Sequence, residues 1–317
     1  MKLYIASALT AFALSCAFCP LLIAVLRKMG AGQNILVYVK EHSKKSGTPT
    51  MGGIAFIAAA IFSAALFIPQ AKTQIILTIV IGLFYMIIGI MDDLLKKKHK
   101  KNLGLKAWQK LFFQVLVAIF AGVYCLRADT TTLYLPFFCA SVDIGFWILP
   151  LSVFVFVATV NAVNLTDGLD GLAAGVSVPF FLFIGILIAL QKGENGFSVL
   201  AFSLVGALLA YLLFNISPAS VFMGDTGSLA IGGFAASIGI FTGNALYIAV
   251  IGFPFVFSVV SVIIQVAYYK ATGGKRIFLM SPIHHHFQEK GYSESKISYA
   301  YFLVSCVLGA VCVLTVV

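Results

Sequence analysis

The sequence predicts an all-α, polytopic membrane protein of about ten transmembrane helices, with the N- and C-termini outside and a small external β-hairpin. Three observations predict it. Hydrophobic residues make up 61% of the 317 residues and charged ones 10%, at a mean hydropathy of +1.04, which is more apolar side chain than one water-soluble core can use. Apolar runs of about 20 residues, the length a bilayer core of roughly 30 Å asks for, recur along the whole chain. The basic residues alternate between loops in the way that orients a membrane protein.

The runs fall at about 3–26, 53–69, 73–91, 107–126, 146–163, 172–190, 197–214, 229–242, 246–269 and 297–317. The first has Lys2 as its only leading charge and no small-x-small site closing a short apolar region, so it is expected to be a retained helix. Residues 127–145, where "TTTLYLPFFCASVDIG" alternates β-branched, aromatic and small residues around Pro136, supply the hairpin. Pro179 and the pair Gly252 and Pro254 lie inside apolar runs. In the ninth run that pair either kinks the helix and opens a side groove or packs as an ordinary proline bend. No linker or shift of composition divides the chain, so residues 1–317 are expected to form one integral-membrane domain.

The six cysteines lie mostly inside apolar runs and imply no disulfide framework; Cys16 and Cys19 form a CxxC whose spacing in a membrane helix suits small-residue packing. A net charge of +10 suits a nucleic-acid binder in principle, but its distribution argues against nucleic acid as a partner. With the N-terminus outside, the loops after runs 1, 3, 5, 7 and 9 are cytoplasmic and hold 17 of the 21 basic residues, leaving Lys2, Lys72, Arg127 and Lys192 for the other side. The run "KKKHKK" (96–101) serves as a topology anchor beside anionic headgroups or as a substrate contact.

The acidic residues sort the same way. Eight of eleven are cytoplasmic, and the five aspartates among them, Asp92, Asp93, Asp167, Asp170 and Asp225, all stand where an apolar run begins or ends. Carboxylates at a membrane boundary are costly to desolvate and tend to be paired, metal-bound or functional, so an active site is expected at the cytoplasmic face. Asp92 and Asp93 are adjacent and point about 100° apart on a helix, which gives them different jobs; two like charges so close also raise the pKa of at least one, as suits a base. Asp167 and Asp170, three apart, share one face in "NAVNLTDGLDGLAAG". Asp167 could cap the next helix, yet Asn161, Asn164, Thr166 and Asp170 are a surplus of polar groups for one cap and favour a binding site. Asp225 in "FMGDTGS" either caps a helix or takes a divalent cation; Mg²⁺, which prefers a carboxylate or two, waters and phosphate oxygens, suits so sparse a loop. In "KKSGTPTMGG" (44–53) lysines adjoin a turn and a helix start, a phosphate-binding arrangement that is also a common turn.

Acids for Mg²⁺ and a base, lysines for phosphate and a greasy groove suit phosphoryl transfer from a soluble diphosphate donor to a lipid acceptor, where catalysis is positioning and charge neutralisation. The competing class is a transporter with proton-relay carboxylates, but a relay needs acids at several depths and the middles of these runs carry almost none.

The segments "HSKKSGTPTMGG" (42–53), "DDLLK" (92–96), "NAVNLTDGLDGLAAG" (161–175), "FMGDTGS" (222–228) and "MSPIHHHFQEKGYSESKI" (280–297), in this order, resemble the polyprenyl-phosphate sugar-1-phosphate transferases. The resemblance covers essentially the whole chain, and the three histidines after "MSPI" are similar to the phospho-N-acetylmuramoyl-pentapeptide transferase branch rather than to relatives that use UDP-GlcNAc. It implies transfer of phospho-MurNAc-pentapeptide from UDP-MurNAc-pentapeptide to undecaprenyl phosphate with Mg²⁺, giving lipid I and UMP for peptidoglycan synthesis. It also implies a multi-pass protein of the bacterial plasma membrane, a bent ninth helix and a homodimer. Carried over by position, Asp225 is the metal ligand, Asp92 the base toward the lipid phosphate and Asp93 its neighbour, and Lys45, Thr50 and Lys96 serve the phosphates or their approach. Asn164, Leu165, Asp167, Gly168, Asp170 and Phe222 frame the nucleoside pocket, and Asn161, Asn215 and Gln265 add polar contacts. The loop "GAGQNILVYVKE" (30–41) departs from the family's usual acidic version, and Gln288 stands where many members have Glu.

His284, His285 and His286 do not read as a metal site. Consecutive side chains diverge on a helix or strand, no cysteine accompanies them, and the acids suit hard Mg²⁺ better than Zn²⁺. Their internal position and specific flanks exclude a tag. With the resemblance in hand, His284 and His285 are expected to donate hydrogen bonds to the sugar-side substrate or its diphosphate, and His286 to shape the loop.

Overall fold

The structure, a computed structural model, describes residues 1–30, 47–68, 71–99, 104–138, 140–191 and 193–316. Among these the chain runs α1 (Lys2–Lys28), α2 (Gly53–Phe67), α3 (Thr73–His99), α4 (Ala107–Arg127), β1 (Thr132–Leu135), β2 (Ala140–Asp143), α5 (Ile148–Thr166), α6 (Leu172–Leu190) and α7 (Asn195–Asn215). It continues with α8 (Gly224–Phe241), α9 (Ala245–Ile251), α10 (Phe253–Ala271), α11 (Ile283–Glu289) and α12 (Glu294–Leu314). Each of the ten apolar runs is helical. Among the described residues, eight helical stretches are long and apolar enough to cross a membrane: α1, α3, α4, α5 with the short turn before it, α6, α7, α10 and α12. The 15 residues of α2 are fewer than a span needs, and α8 opens on the polar turn GDTGS.

The ninth run is two helices. Its break falls at Gly252, and Pro254 sits in the first turn of α10, where a missing backbone N–H leaves no hydrogen bond unmade. The expected bend is therefore a full change of helix.

α8 is the axis of the bundle, buried from Asp225 to Phe241 and packed against α3 and α5. Gly232 and Gly233 make this possible: a side chain at either would run into Val160 of α5 or Tyr85 of α3. The outer faces of the bundle expose Leu21, Ile87, Phe112, Ile263 and Val307, the side chains a lipid tail solvates. The hairpin pairs β1 and β2 antiparallel with Thr132 opposite Asp143, and Tyr134 N donates to Gly243 O at 2.9 Å just past the end of α8. It thus lies about 27 Å, the length of an 18-residue helix, from the N-terminus of α8.

Candidate active site

At that N-terminus the chain gathers its buried charges. Asp92 and Asp93 come from the last third of α3, Lys96 from the next turn, Lys110 from the first turn of α4 and Asp225 from the first turn of α8. Asp92, Asp93 and Asp225 are 0%, 4% and 9% exposed, and one carboxylate oxygen from each lies within 4.8 Å of the others. Lys96 Nζ is 2.7 Å from Asp92 Oδ2 and 2.9 Å from Asp225 Oδ1. Lys110 Nζ bridges the same two acids, 3.0 Å from Asp92 Oδ2 and hydrogen-bonded to Asp225 Oδ2. Asp92 Oδ1 accepts from Leu105 N at 2.7 Å. Two ammonium groups therefore stand between two carboxylates, the pairing that burial of charge demands.

Asp93 turns the other way, as neighbours on a helix must. Its oxygens accept from Asp225 N (3.2 Å), Thr226 N (3.1 Å) and Thr226 Oγ1 (2.7 Å). The residue at the helix cap, Met223, has no capping side chain, so α3 supplies the cap for α8 and places a negative charge at its positive end. Gly224 has φ +71°, and a Cβ there would meet Asp93 Oδ2 at 2.5 Å and Thr50 Oγ1 at 2.6 Å; only glycine fits. Thr50 is thereby brought to the same corner, through a ladder in which Phe222 N donates to Pro49 O and Gly52 N to Phe222 O.

A second cluster adjoins the first across the turn after α5. Asp167 is the residue that ends α5, and α6 starts from Gly171 without a side-chain cap, so capping of the next helix is not what Asp167 does. Its carboxyl is held well above the usual range, first by desolvation and then by the negative field of Asp225 and Asp93. Gly168 lies against α11: a Cβ there would be 2.4 Å from His284 Nε2 and 3.2 Å from His285 Nε2. His284 is 0% exposed, neither of its ring nitrogens has a hydrogen-bond partner among the described residues, and burial, then His285, pushes its pKa down to about 3. It is a neutral imidazole at neutral pH. Gly168→Ala is accordingly expected to force α11 off this turn and lower stability by about 1–3 kcal/mol; an unchanged thermal-unfolding midpoint in detergent would show the contact to be slack.

Comparison with known proteins fixes what this constellation belongs to. Residues 74–243 match the family model described as glycosyl transferase family 4, and residues 45–57 match phospho-N-acetylmuramoyl-pentapeptide-transferase signature 1. The chain is 46% identical over 286 residues to the phospho-N-acetylmuramoyl-pentapeptide-transferase of Caldanaerobacter subterraneus subsp. tengcongensis, covering 90% of each chain. It is 44% identical over 304 residues to that of Thermoanaerobacter sp. (strain X514), covering 96% and 95%, and 41% identical to that of Clostridium perfringens (strain SM101 / Type A), covering 91% and 89%. The chain belongs to the phospho-N-acetylmuramoyl-pentapeptide transferase family.

In this transferase the other residues singled out from sequence divide by what they touch. Asn164 Nδ2 donates to Ser228 Oγ at 2.9 Å and ties the end of α5 to the first turn of α8; Leu165 is half-buried beside it. Asn215 accepts from Gly171 N at 3.2 Å and donates to Val221 O at 2.9 Å, and Asp170 Oδ2 accepts from Ala219 N at 3.1 Å. Together they hold the loop that ends in Phe222. Asn161 pairs with Gln114 of α4. Gln265 uses both ends of its amide on the 277–278 backbone, so it acts as a clasp for the segment between α10 and α11. His286 Nδ1 accepts from Leu279 N at 3.1 Å, a further tie between α11 and that segment. Lys45 lies outside the described residues.

Lys110 is what the sequence reading missed as a site residue. It stood among seven lysines of one basic loop that the orientation rule explained equally well. The available signal was its position one turn inside an apolar run, in "AWQKLFFQ", with Gln114 four residues on along the same face.

Proposed function

We propose that this chain transfers phospho-MurNAc-pentapeptide from UDP-MurNAc-pentapeptide to undecaprenyl phosphate, forming lipid I and UMP, with Mg²⁺. It does so as a single multi-pass domain of the bacterial plasma membrane whose site faces the cytoplasm. The observation that carries the reading is the closed arrangement of Asp92, Asp225, Lys96 and Lys110, a charge-balanced centre at the boundary of a lipid-facing bundle. Asp92 and Asp225, with an Asp93 oxygen within 4.8 Å of theirs, are hard oxygen donors, a set that among the described residues fits Mg²⁺. Asp225 would hold the ion, with Asp92 beside it, and the bound ion supplies charge neutralisation on the diphosphate.

The chain's own residues do the rest. Lys96 and Lys110 leave their carboxylates for the arriving phosphates, which frees Asp92 Oδ2 to take the proton of the lipid phosphate. An oxygen of that phosphate attacks the sugar-bearing phosphorus, the bond to the UMP oxygen breaks, and a new diphosphate links sugar to lipid. Asp93 keeps Asp225 in place by capping α8, with Thr50 packed against the same corner. The 164–170 segment, Phe222 and α11 frame the nucleotide-sugar. The positive-inside distribution supports the orientation, and family resemblance alone supports a homodimer.

The acids bear against a proton-relay transporter. Asp92, Asp93, Asp167, Asp170 and Asp225 cluster at one end of the bundle, while Asp129, Asp143 and Glu194 belong to the end that carries the hairpin. The test is to incubate the purified protein with undecaprenyl phosphate, Mg²⁺ and either UDP-MurNAc-pentapeptide or UDP-GlcNAc. UMP release is expected from the first donor alone; release from UDP-GlcNAc would make this a GlcNAc-1-phosphate transferase, and solute flux in liposomes without UMP would make it a transporter.

A further inference from the structure

Helix α11 is a wall shared by two spaces. Its first turn lies against Gly168 in the cleft. Its last residue, Glu289, lines a cavity of about 600 Å³ between the end of α10 and the segment that Gln265 clasps, a size within the roughly 300–1,000 Å³ of ligand pockets. Tyr269 and Met280 give the cavity an apolar side, and Lys270 and Arg276 give it two positive charges. Among the described residues Lys270 and Glu289 have no ion-pair partner, and Arg276 spends one N–H on Leu279 O at 3.5 Å, leaving the rest of its fork of donors. His285 and Glu289, four positions apart, share one face of α11. The helix has seven residues and so spans only about 10 Å, whereas five residues of extended peptide span roughly 17 Å. A peptide attached to a sugar in the cleft is long enough to run along α11 into the cavity.

We propose that this cavity binds the peptide arm of the donor, with Arg276 and Lys270 taking a peptide carboxylate and Glu289 accepting from peptide N–H groups. A peptide is the occupant that uses both signs of charge on the rim. Its C-terminus is a carboxylate, which suits the planar fork of Arg276, and its amides supply donors. An anionic lipid headgroup would use the two cations but meet repulsion from Glu289, and the acceptor's phosphate is needed at Asp92. The cavity lies apart from the carboxylates and lysines of the reaction centre, so contacts here are the same before and during phosphoryl transfer; they lower KM for the donor and leave kcat alone. The inference rests on the proposed function in taking the donor to carry a peptide and its sugar to sit beside Gly168.

The experiment compares two donors, UDP-MurNAc-pentapeptide and UDP-MurNAc without the peptide, on the full chain in detergent. Calorimetry without acceptor gives the affinity for each and needs no turnover, and UMP release is followed in parallel. The wild type is expected to bind the peptide-bearing donor about tenfold more tightly, the low end for hydrogen bonds between charged groups because this rim is exposed. Arg276→Gln combined with Lys270→Gln should bring the two donors level by weakening the first alone, raising its KM with kcat nearly kept. Unchanged binding of the peptide-free donor serves as the control for folding. Arg276→Lys by itself, which keeps the charge but loses the fork, should fall between wild type and the double variant. If the double variant weakens both donors alike, or neither, the proposal is overturned. A rise in KM for undecaprenyl phosphate alone also overturns it and gives the two cations to the lipid. A wild type that releases UMP yet binds the two donors equally removes the peptide site and leaves the proposed function standing. No UMP from either donor, with the affinity difference present and lost in the double variant, overturns the functional reading and leaves the peptide site.

Discussion

Asp225→Asn is expected to lower UMP release by at least about a thousandfold, roughly 4 kcal/mol of transition-state stabilisation, while the protein still elutes as a folded species from a sizing column. Asparagine keeps the volume and one acceptor oxygen, so the first turn of α8 can stay under its Asp93 cap. What it loses is the charge that both Lys96 and Lys110 answer and the hard anionic oxygen that a divalent ion needs. Excess Mg²⁺ should recover little, because an amide oxygen is a poor substitute for a carboxylate in so small a donor set. Turnover within tenfold of wild type would remove Asp225 from the metal site and leave it an ion-pair partner.

Asp93→Ala is expected to be nearly as damaging for a different reason. It strips the acceptor from two backbone N–H groups and one hydroxyl at the buried start of α8, a loss of about 3 kcal/mol or more at about 1–3 per orphaned donor. The first turn of α8 should fray, carrying Asp225 away from the lysines, so the thermal midpoint and turnover fall together. Asp93→Asn, which retains an acceptor, should recover most of the stability and a measurable part of the activity. If instead the asparagine variant folds as well as wild type but is as inactive as the alanine variant, Asp93 takes part in the chemistry and the capping role is secondary.

The bundle was legible because each apolar run is long, and the break at Gly252 because glycine and proline punctuate local structure whatever the tertiary context. Most of the acidic centre was legible too, since carboxylates at the ends of apolar runs have few structural uses. The partners were not. That Asp93 caps α8 is a contact between helices over 130 positions apart in sequence, which no local pattern encodes, and Lys110 was concealed by its basic neighbours. Likewise the three histidines gave no sign of belonging to a helix, because α11 is seven residues long, too short for periodicity to register. Once it is helical, their divergence follows, with His284 turned into the core, His285 to Gln288 and His286 to the Leu279 backbone.

The paired lysines carry a consequence for how the protein is made. Asp92, Lys96 and Lys110 lie on two consecutive helices, whereas Asp225 follows Lys110 by 115 positions. As the chain emerges, α3 and α4 can enter the bilayer as a hairpin whose acid already has its base, sparing the helix ends the cost of an unpaired charge at the membrane boundary. α8, synthesised much later, then arrives with one carboxylate at its leading end and finds two ammonium groups and an N-terminal cap waiting. The reaction centre thus doubles as the docking point for the last-placed central helix, so a nascent chain that has failed to assemble its charges has also failed to close its core.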